Sequence, residues 1–178
     1  MIVNLFSVPI MIGNIDLEKV KIKNDKFSHK WLSQTKTSHG FKNVFEPASE
    51  KYVGNLFADS LGELIKRSFM LMFTAVWENN YIKNDFQEPH IHVHSHFSFI
   101  VYKKANESNT VFLNPSKYLL QSLDLGNLIP ENYKLSLRQG QFVIFPSFLE
   151  HMVLKHSNSV TIAGNTIVVK KWELNLKD

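Results

Sequence analysis

Glu88-Pro89-His90-Ile91-His92-Val93-His94-Ser95-His96-Phe97 carries four of the chain's eight histidines at alternating positions. In an extended strand, residues two apart point to the same side, so an extended run puts all four imidazoles on one face and Ile91, Val93 and Phe97 on the other. Stacked imidazoles gain little from apolar burial, but neutral imidazole is a common ligand for iron, zinc, copper and nickel. Two such rings at i and i+2 can hold one ion, with a third ligand supplied from elsewhere. His151 is the best candidate, because it follows the apolar run Gln141-Phe142-Val143-Ile144-Phe145 and a Pro146-Ser147 turn. The competing reading is a solvent-facing polar strand of unliganded histidines. His29, His39 and His156 have no comparable setting and read as solvated. Ser147 reads as a turn residue, since no acid-oriented histidine surrounds it.

The elements that must position these residues are mostly strands. Residues 69–81, 90–104, 110–114, 134–137, 141–145 and 160–169 carry period-two or continuous apolar patterns. Turn chemistry separates them at Lys83-Asn84-Asp85, Asn106-Glu107-Ser108-Asn109, Asn114-Pro115 and Gln139-Gly140. Upstream, Val53, Leu56, Phe57, Leu61, Leu64 and Ile65 recur at helical spacing, with Glu50 near the start and Lys66-Arg67 at the end to suit the helix dipole. Residues 2–12, rich in Val, Ile and Phe around Pro9, read as an edge strand. Residues 15–40 are polar and give no clear pattern. One domain over 1–178 is expected, mainly β, with a helical N-terminal segment packed on it.

Composition narrows the function classes. The chain has 178 residues, 44% of them hydrophobic, and no cysteine, which excludes disulfide scaffolds, zinc ribbons, iron–sulfur clusters and thiol nucleophiles. No apolar run is long enough for a membrane span, and the opening residues lack a secretion leader, so a cytoplasmic protein is expected. Of 20 basic residues only Arg67 and Arg138 are arginines, and the lysines are scattered. The net charge of +4 therefore gives little support to nucleic-acid recognition.

Several segments together resemble the iron(II)- and 2-oxoglutarate-dependent oxygenases, in particular a short single-domain group common in tailed bacteriophages. Leu5-Phe6-Ser7-Val8-Pro9-Ile10 resembles the family's N-terminal strand. Trp77-Glu78-Asn79-Asn80-Tyr81 with Asp85-Phe86 resembles the aromatic strand ahead of the site, and Pro89-His90-Ile91-His92 with Ser98 and Tyr102 the first metal-binding strand. Gly140-Gln141-Phe142-Val143-Ile144-Phe145-Pro146-Ser147 with His151 resembles the distal ligand segment, and Val160-Thr161-Ile162-Ala163-Gly164-Asn165 the closing strand.

The resemblance implies a double-stranded β-helix, or jelly roll, with iron(II) at its open end and 2-oxoglutarate as co-substrate of a hydroxylase. It implies His90 and His151 as ligands, with His92 where many relatives place Asp; His94 competes for that role. It implies Tyr102 and Thr161 against the far carboxylate of 2-oxoglutarate. The family's arginine for that carboxylate aligns with Ser159, so Lys103, Lys104, Lys155 or Lys170 would have to supply the charge. Trp77, Phe97, Phe112, Phe145 and Phe148 are candidate pocket walls. Two other readings explain the missing arginine: a cupin-like three-histidine dioxygenase that does not use 2-oxoglutarate, or a non-catalytic phage jelly-roll module. The substrate could be a protein side chain, a nucleobase or a small molecule, in the host cytoplasm if the protein is viral. The N-terminal strand could also pair with a second copy in a homodimer.

Overall fold

The computed structural model describes residues 7–24, 26–125, 129–155 and 158–170. Thirteen strands are present in these segments: β1 (Met11–Asn14), β2 (Ile22–Lys23), β3 (Ser28–Lys30), β4 (Thr35–Thr37), β5 (Val44–Phe45), β6 (Phe69–Tyr81), β7 (Gln87–His90), β8 (Phe97–Lys104), β9 (Thr110–Leu113), β10 (Asn132–Lys134), β11 (Gln141–Pro146), β12 (His151–Val153) and β13 (Ser159–Lys170). Helix α1 spans Pro47–Gly62 and a short α2 spans Lys117–Ser122. The strands form a seven-stranded sheet in the order β1-β11-β8-β13-β6-β4-β3, a four-stranded sheet β10-β9-β12-β7, and the pair β2-β5.

The apolar strands are buried on both faces, which explains their continuous hydrophobic runs. On β8, Phe99 and Val101 join one core cluster while Ile100 and Tyr102 join another; on β11, Phe142 and Ile144 part in the same way from Val143 and Phe145. The first cluster includes Val53, Phe57 and Leu61, one face of α1 at four-residue spacing. Pro47 opens that helix, where its missing N–H costs nothing. The second cluster includes Phe112 of β9 together with Leu135, Leu137 and Leu149, so it lies between the seven-stranded and four-stranded sheets.

Two expectations are corrected. The strands do not roll into a closed double-stranded β-helix or jelly roll: among the described residues there are three separate sheets, none closed into a barrel. The physical reason lies at the sheet edge. The β3–β4 hairpin pairs onto β6 through Lys36↔Asn80 and Thr37↔Asn79, so the large sheet grows sideways and ends in the unjoined edges β1 and β3. The segment ahead of α1, which gives no clear pattern in sequence over 15–40, holds five short strands and a single 3-10 turn at Leu17–Lys19, capped by Asp16, among its described residues. The run 90–104 is not one strand either: residues 91–96 leave the sheet in a turn between β7 and β8. The expected edge strand at 2–12 lies partly outside the described residues; its described edge, β1, begins at Met11 and pairs with β11.

Candidate metal centre

Two short antiparallel strands hold the first two candidate ligands. His151 opens β12 and faces His90, the last residue of β7, as a direct cross-strand partner. Their ring centroids lie 4.2 Å apart. Each Nδ1 meets the main-chain carbonyl two residues earlier, Glu88 O at 2.8 Å for His90 and Leu149 O at 3.0 Å for His151. With Nδ1–H donating there, both rings present an Nε2 lone pair to the same side.

His92 comes from the turn after β7. Its backbone N–H donates to Ser147 O at 2.9 Å, and its Nε2 stands 3.4 Å from His151 Nε2. Two nitrogens each about 2.1 Å from one ion are about 3.0–3.4 Å apart, so this spacing fits a shared metal. The ligand atoms of all three histidines lie within 4.8 Å of one another. Trp77 packs against the His92 ring at 5.7 Å.

Burial keeps the three rings neutral, the form a metal requires. Desolvation lowers the pKa of His90 and pushes that of His151 well below the ordinary value. His92 is lowered to about 4, first by desolvation and then by the neighbouring His90 and His39. The nearby carboxylates are engaged elsewhere: Asp85 accepts from the N–H of Ile82, Glu88 from that of Leu32, and Glu150 pairs with Lys117. Three neutral imidazoles with aligned Nε2 atoms fit a divalent transition ion.

A cavity opens beside the histidines, lined by Trp77, Phe145, Ile100 and Ala163 among the apolar residues and by a polar set from β6, β8, β9 and β13. Tyr102, Thr161 and Ser159 all line it. Tyr102 Oη is 2.9 Å from Thr110 Oγ1 and accepts from Ser108 Oγ at 2.9 Å; Asn79 Nδ2 donates to Thr161 Oγ1 at 3.4 Å. Burial raises the Tyr102 pKa, so the ring stays a neutral phenol. Asn79, Tyr81, Gln87, Ser108 and Thr110 belong to this wall and were not expected from the sequence, although Trp77-x-Asn79-x-Tyr81 on β6 alternates onto one face. Gln87 links Tyr81 Oη, at 3.1 Å, to His90 Nε2, at 3.2 Å.

Other expected residues stand apart. His94 is exposed in a left-handed turn at φ 60° and does not join the cluster, and His96 accepts the N–H of Val168. His39 is not solvated: it is half-buried, edge-on to Trp77 at 4.8 Å, and its pKa is lowered, chiefly by burial. His29 is exposed, and His156 lies outside the described residues. Phe97 and Phe148 border a separate surface groove, and Phe112 packs beside His151 at 5.9 Å. Lys103 pairs with Glu78 at 2.7 Å, Lys155 lies over the Phe86 ring, and Lys104, Lys170, Arg67 and Arg138 are exposed.

A family model described as "Putative 2OG-Fe(II) oxygenase" matches residues 75–163, half of the chain. The chain belongs to this 2OG-Fe(II) oxygenase family. The matched span contains all three histidines, and the match is to the family as a whole rather than to a short phage-type group. No curated protein matches the chain in sequence. Among solved structures, a 2OG-Fe(II) oxygenase family oxidoreductase from Burkholderia pseudomallei is similar with TM-score 0.51 and 10% identity, over 87% of this chain and 71% of that one. HygX from Streptomyces hygroscopicus, with nickel, 2-oxoglutarate and hygromycin B bound, is similar with TM-score 0.53 and 9% identity, over 93% of this chain and 84% of that one. SnoN, the non-heme alpha-ketoglutarate-dependent epimerase of nogalamycin biosynthesis, is similar with TM-score 0.54 and 10% identity, over 80% and 66%. At such identities these likenesses show the fold. Membership of an enzyme family and a clustered histidine triad give the chain metal-binding, oxidoreductase character.

Proposed function

We propose that this protein is a three-histidine, iron(II)-dependent oxygenase that takes an organic substrate directly on the metal and does not use 2-oxoglutarate. One observation carries the reading. The polar wall beside the histidines consists of hydroxyl and amide groups, and among the described lining residues the sole charged one is an acid, Glu107. 2-Oxoglutarate has a second carboxylate, and burying it without a cation costs several kcal/mol. Neither arginine lies on this wall, and Lys103 is committed to Glu78.

On this reading His90, His92 and His151 hold the ion, which when bound supplies oxygen activation. Trp77, Phe145, Ile100 and Ala163 keep water from the site. Thr161, Asn79 and the Tyr102–Thr110 pair orient the substrate by hydrogen bonds to neutral groups. Oxygen uptake by the iron-loaded protein with candidate substrates tests the reading. Uptake without 2-oxoglutarate and without succinate is expected; succinate formed in step with oxygen consumed would overturn it.

A second reading has its own support. Family membership and the presence of Tyr102, Thr161 and Ser159 on the cavity wall favour a 2-oxoglutarate-dependent hydroxylase. Such an enzyme would resemble the short phage-type members, working in the host cytoplasm on a side chain or small molecule. A visible charge-transfer band on adding 2-oxoglutarate to the anaerobic iron form would favour it.

A further inference from the structure

The cavity wall can be resolved by donor and acceptor. His151 and Val153 share one face of β12, and Val153 pairs with Thr110 of β9, so the Tyr102–Thr110 contact lies two register positions beyond His151. Ser108 Oγ donates to Tyr102 Oη, and Tyr102 and Thr110 share a second bond. Three hydroxyl protons thus serve two mutual bonds, which leaves one proton and several lone pairs for a ligand. Thr161 Oγ1 accepts from Asn79 Nδ2, whose Oδ1 is held by Thr37 Oγ1 at 2.6 Å. The Asn79 amide is thereby oriented, and the Thr161 hydroxyl proton stays available on the same wall.

Such a wall can donate and accept at once. A hydroxyl or carboxamide satisfies it in both directions, whereas a carboxylate only accepts and brings a charge that nothing there neutralises. The metal end makes the opposite demand. Three neutral imidazoles leave the full charge of a divalent ion in place, which favours an anionic chelating group. Glu107, on the same cavity, is paired with Lys134 at 3.8 Å and accepts from Ser136 Oγ, so it brings no cation to the wall.

We infer that the ligand of this cavity is a monoanionic chelating acid, of the 2-oxo or 2-hydroxy carboxylate class, whose tail ends in an uncharged hydroxyl or amide group bonded by Thr161 and the Tyr102–Ser108–Thr110 chain. Thr161 and Tyr102 are then specificity-determining residues, and a dicarboxylate is discriminated against at the tail. The inference rests on the metal-centre reading and names the ligand class for it.

Two probes with the same oxalyl chelating head separate the possibilities: N-oxalylglycinamide, with a neutral tail, and N-oxalylglycine, with a charged one. Nickel(II) alone is first titrated calorimetrically into the full chain; if none binds, both the metal centre and this inference fall. On the nickel-loaded protein the amide is expected to bind about tenfold tighter than the diacid, a difference of about 1.4 kcal/mol. Thr161→Val is expected to weaken the amide about fivefold while nickel binding stays unchanged. Ser159→Arg, which sets a guanidinium on the wall, is expected to reverse the preference. Equal or tighter binding of the diacid by the unmodified protein, or binding of neither probe, overturns the inference and leaves the metal centre standing.

Discussion

His90 and His151 face one another across the β7–β12 pair, and each ring is anchored by Nδ1 to the carbonyl two residues before it. The Nδ1 anchors of the two rings are therefore main-chain carbonyls, with no acidic partner, and Gln87 adds a side-chain contact to His90 Nε2 at 3.2 Å. Because the anchors are main-chain groups, changing either side chain leaves its strand pairing intact. His90→Ala and His151→Ala are each expected to lower divalent-metal affinity about 100-fold or more while the far-UV circular dichroism spectrum persists. Isothermal titration with iron(II) under nitrogen measures this. Undiminished binding in both variants would remove the metal assignment.

Acid should destabilise the metal-free protein in a defined window. The folded-state pKa of His92 is lowered to about 4 from an ordinary 6.5, and those of His90 and His151 shift the same way. Between those values the unfolded chain binds more protons than the folded one, so stability is complete above pH 6.5 and falls as pH drops towards 4. Thermal unfolding in metal-free buffer is expected to show a midpoint about 3 °C or more lower at pH 4.5 than at pH 7. His92→Gln should flatten that slope in part. A midpoint independent of pH across this interval would contradict the buried, neutral state of the cluster.

How far this molecule can be read from its residues depends on whether the pattern is local. The alternation of 69–81 coincides with β6, that of 160–169 is matched within one residue by β13, and Val53, Phe57 and Leu61 mark the buried face of α1. The histidine run misleads because its alternation continues through a turn: His94 keeps the period but takes φ 60°, and only His90 and His92 stay near His151. The 15–40 region was opaque because its strands are two or three residues long and exist through distant partners, β2 with β5 and β4 with β6. Sheet closure is equally invisible to local pattern, since it turns on which strand occupies the edge of β6. The clustering of His90, His92 and His151 is legible because its chemistry is concentrated in few residues; the hydroxyl wall is legible only at Tyr102, Thr161 and Ser159, through the family resemblance, because Ser108 and Thr110 look like turn and strand residues anywhere.

Lys103 offers a direct test of whether any lysine stands in for the family's arginine. It extends from β8 next to Tyr102, but alternation turns it away from the Tyr102 face, and its Nζ pairs with Glu78 at 2.7 Å. Lys103→Met is expected to leave metal and ligand binding unchanged and to cost no more than about 1 kcal/mol, as a partly exposed ion pair should. Chemical denaturation and the calorimetric titrations give both numbers. Loss of 2-oxoglutarate binding in this variant alone would restore a cationic role for Lys103.

Ser147 ties the His92 turn to the body of the large sheet. Its hydroxyl accepts from Ser95 Oγ at 2.9 Å and lies 2.9 Å from Ser98 Oγ, which in turn donates to Asn165 Oδ1 on β13. The carbonyl of the same residue holds the His92 N–H. Ser147→Ala keeps that carbonyl but removes the hydroxyl junction, leaving buried Ser98 with one partner instead of two and the turn with one fewer anchor. Each lost bond of this kind is worth about 1 kcal/mol. Metal affinity should therefore fall about fivefold, well short of the loss in a ligand variant, because His92 is displaced rather than removed. Ser147→Thr, which restores the hydroxyl, should recover most of the loss. An affinity in Ser147→Ala equal to that of the unmodified protein would show that the backbone bond alone fixes His92.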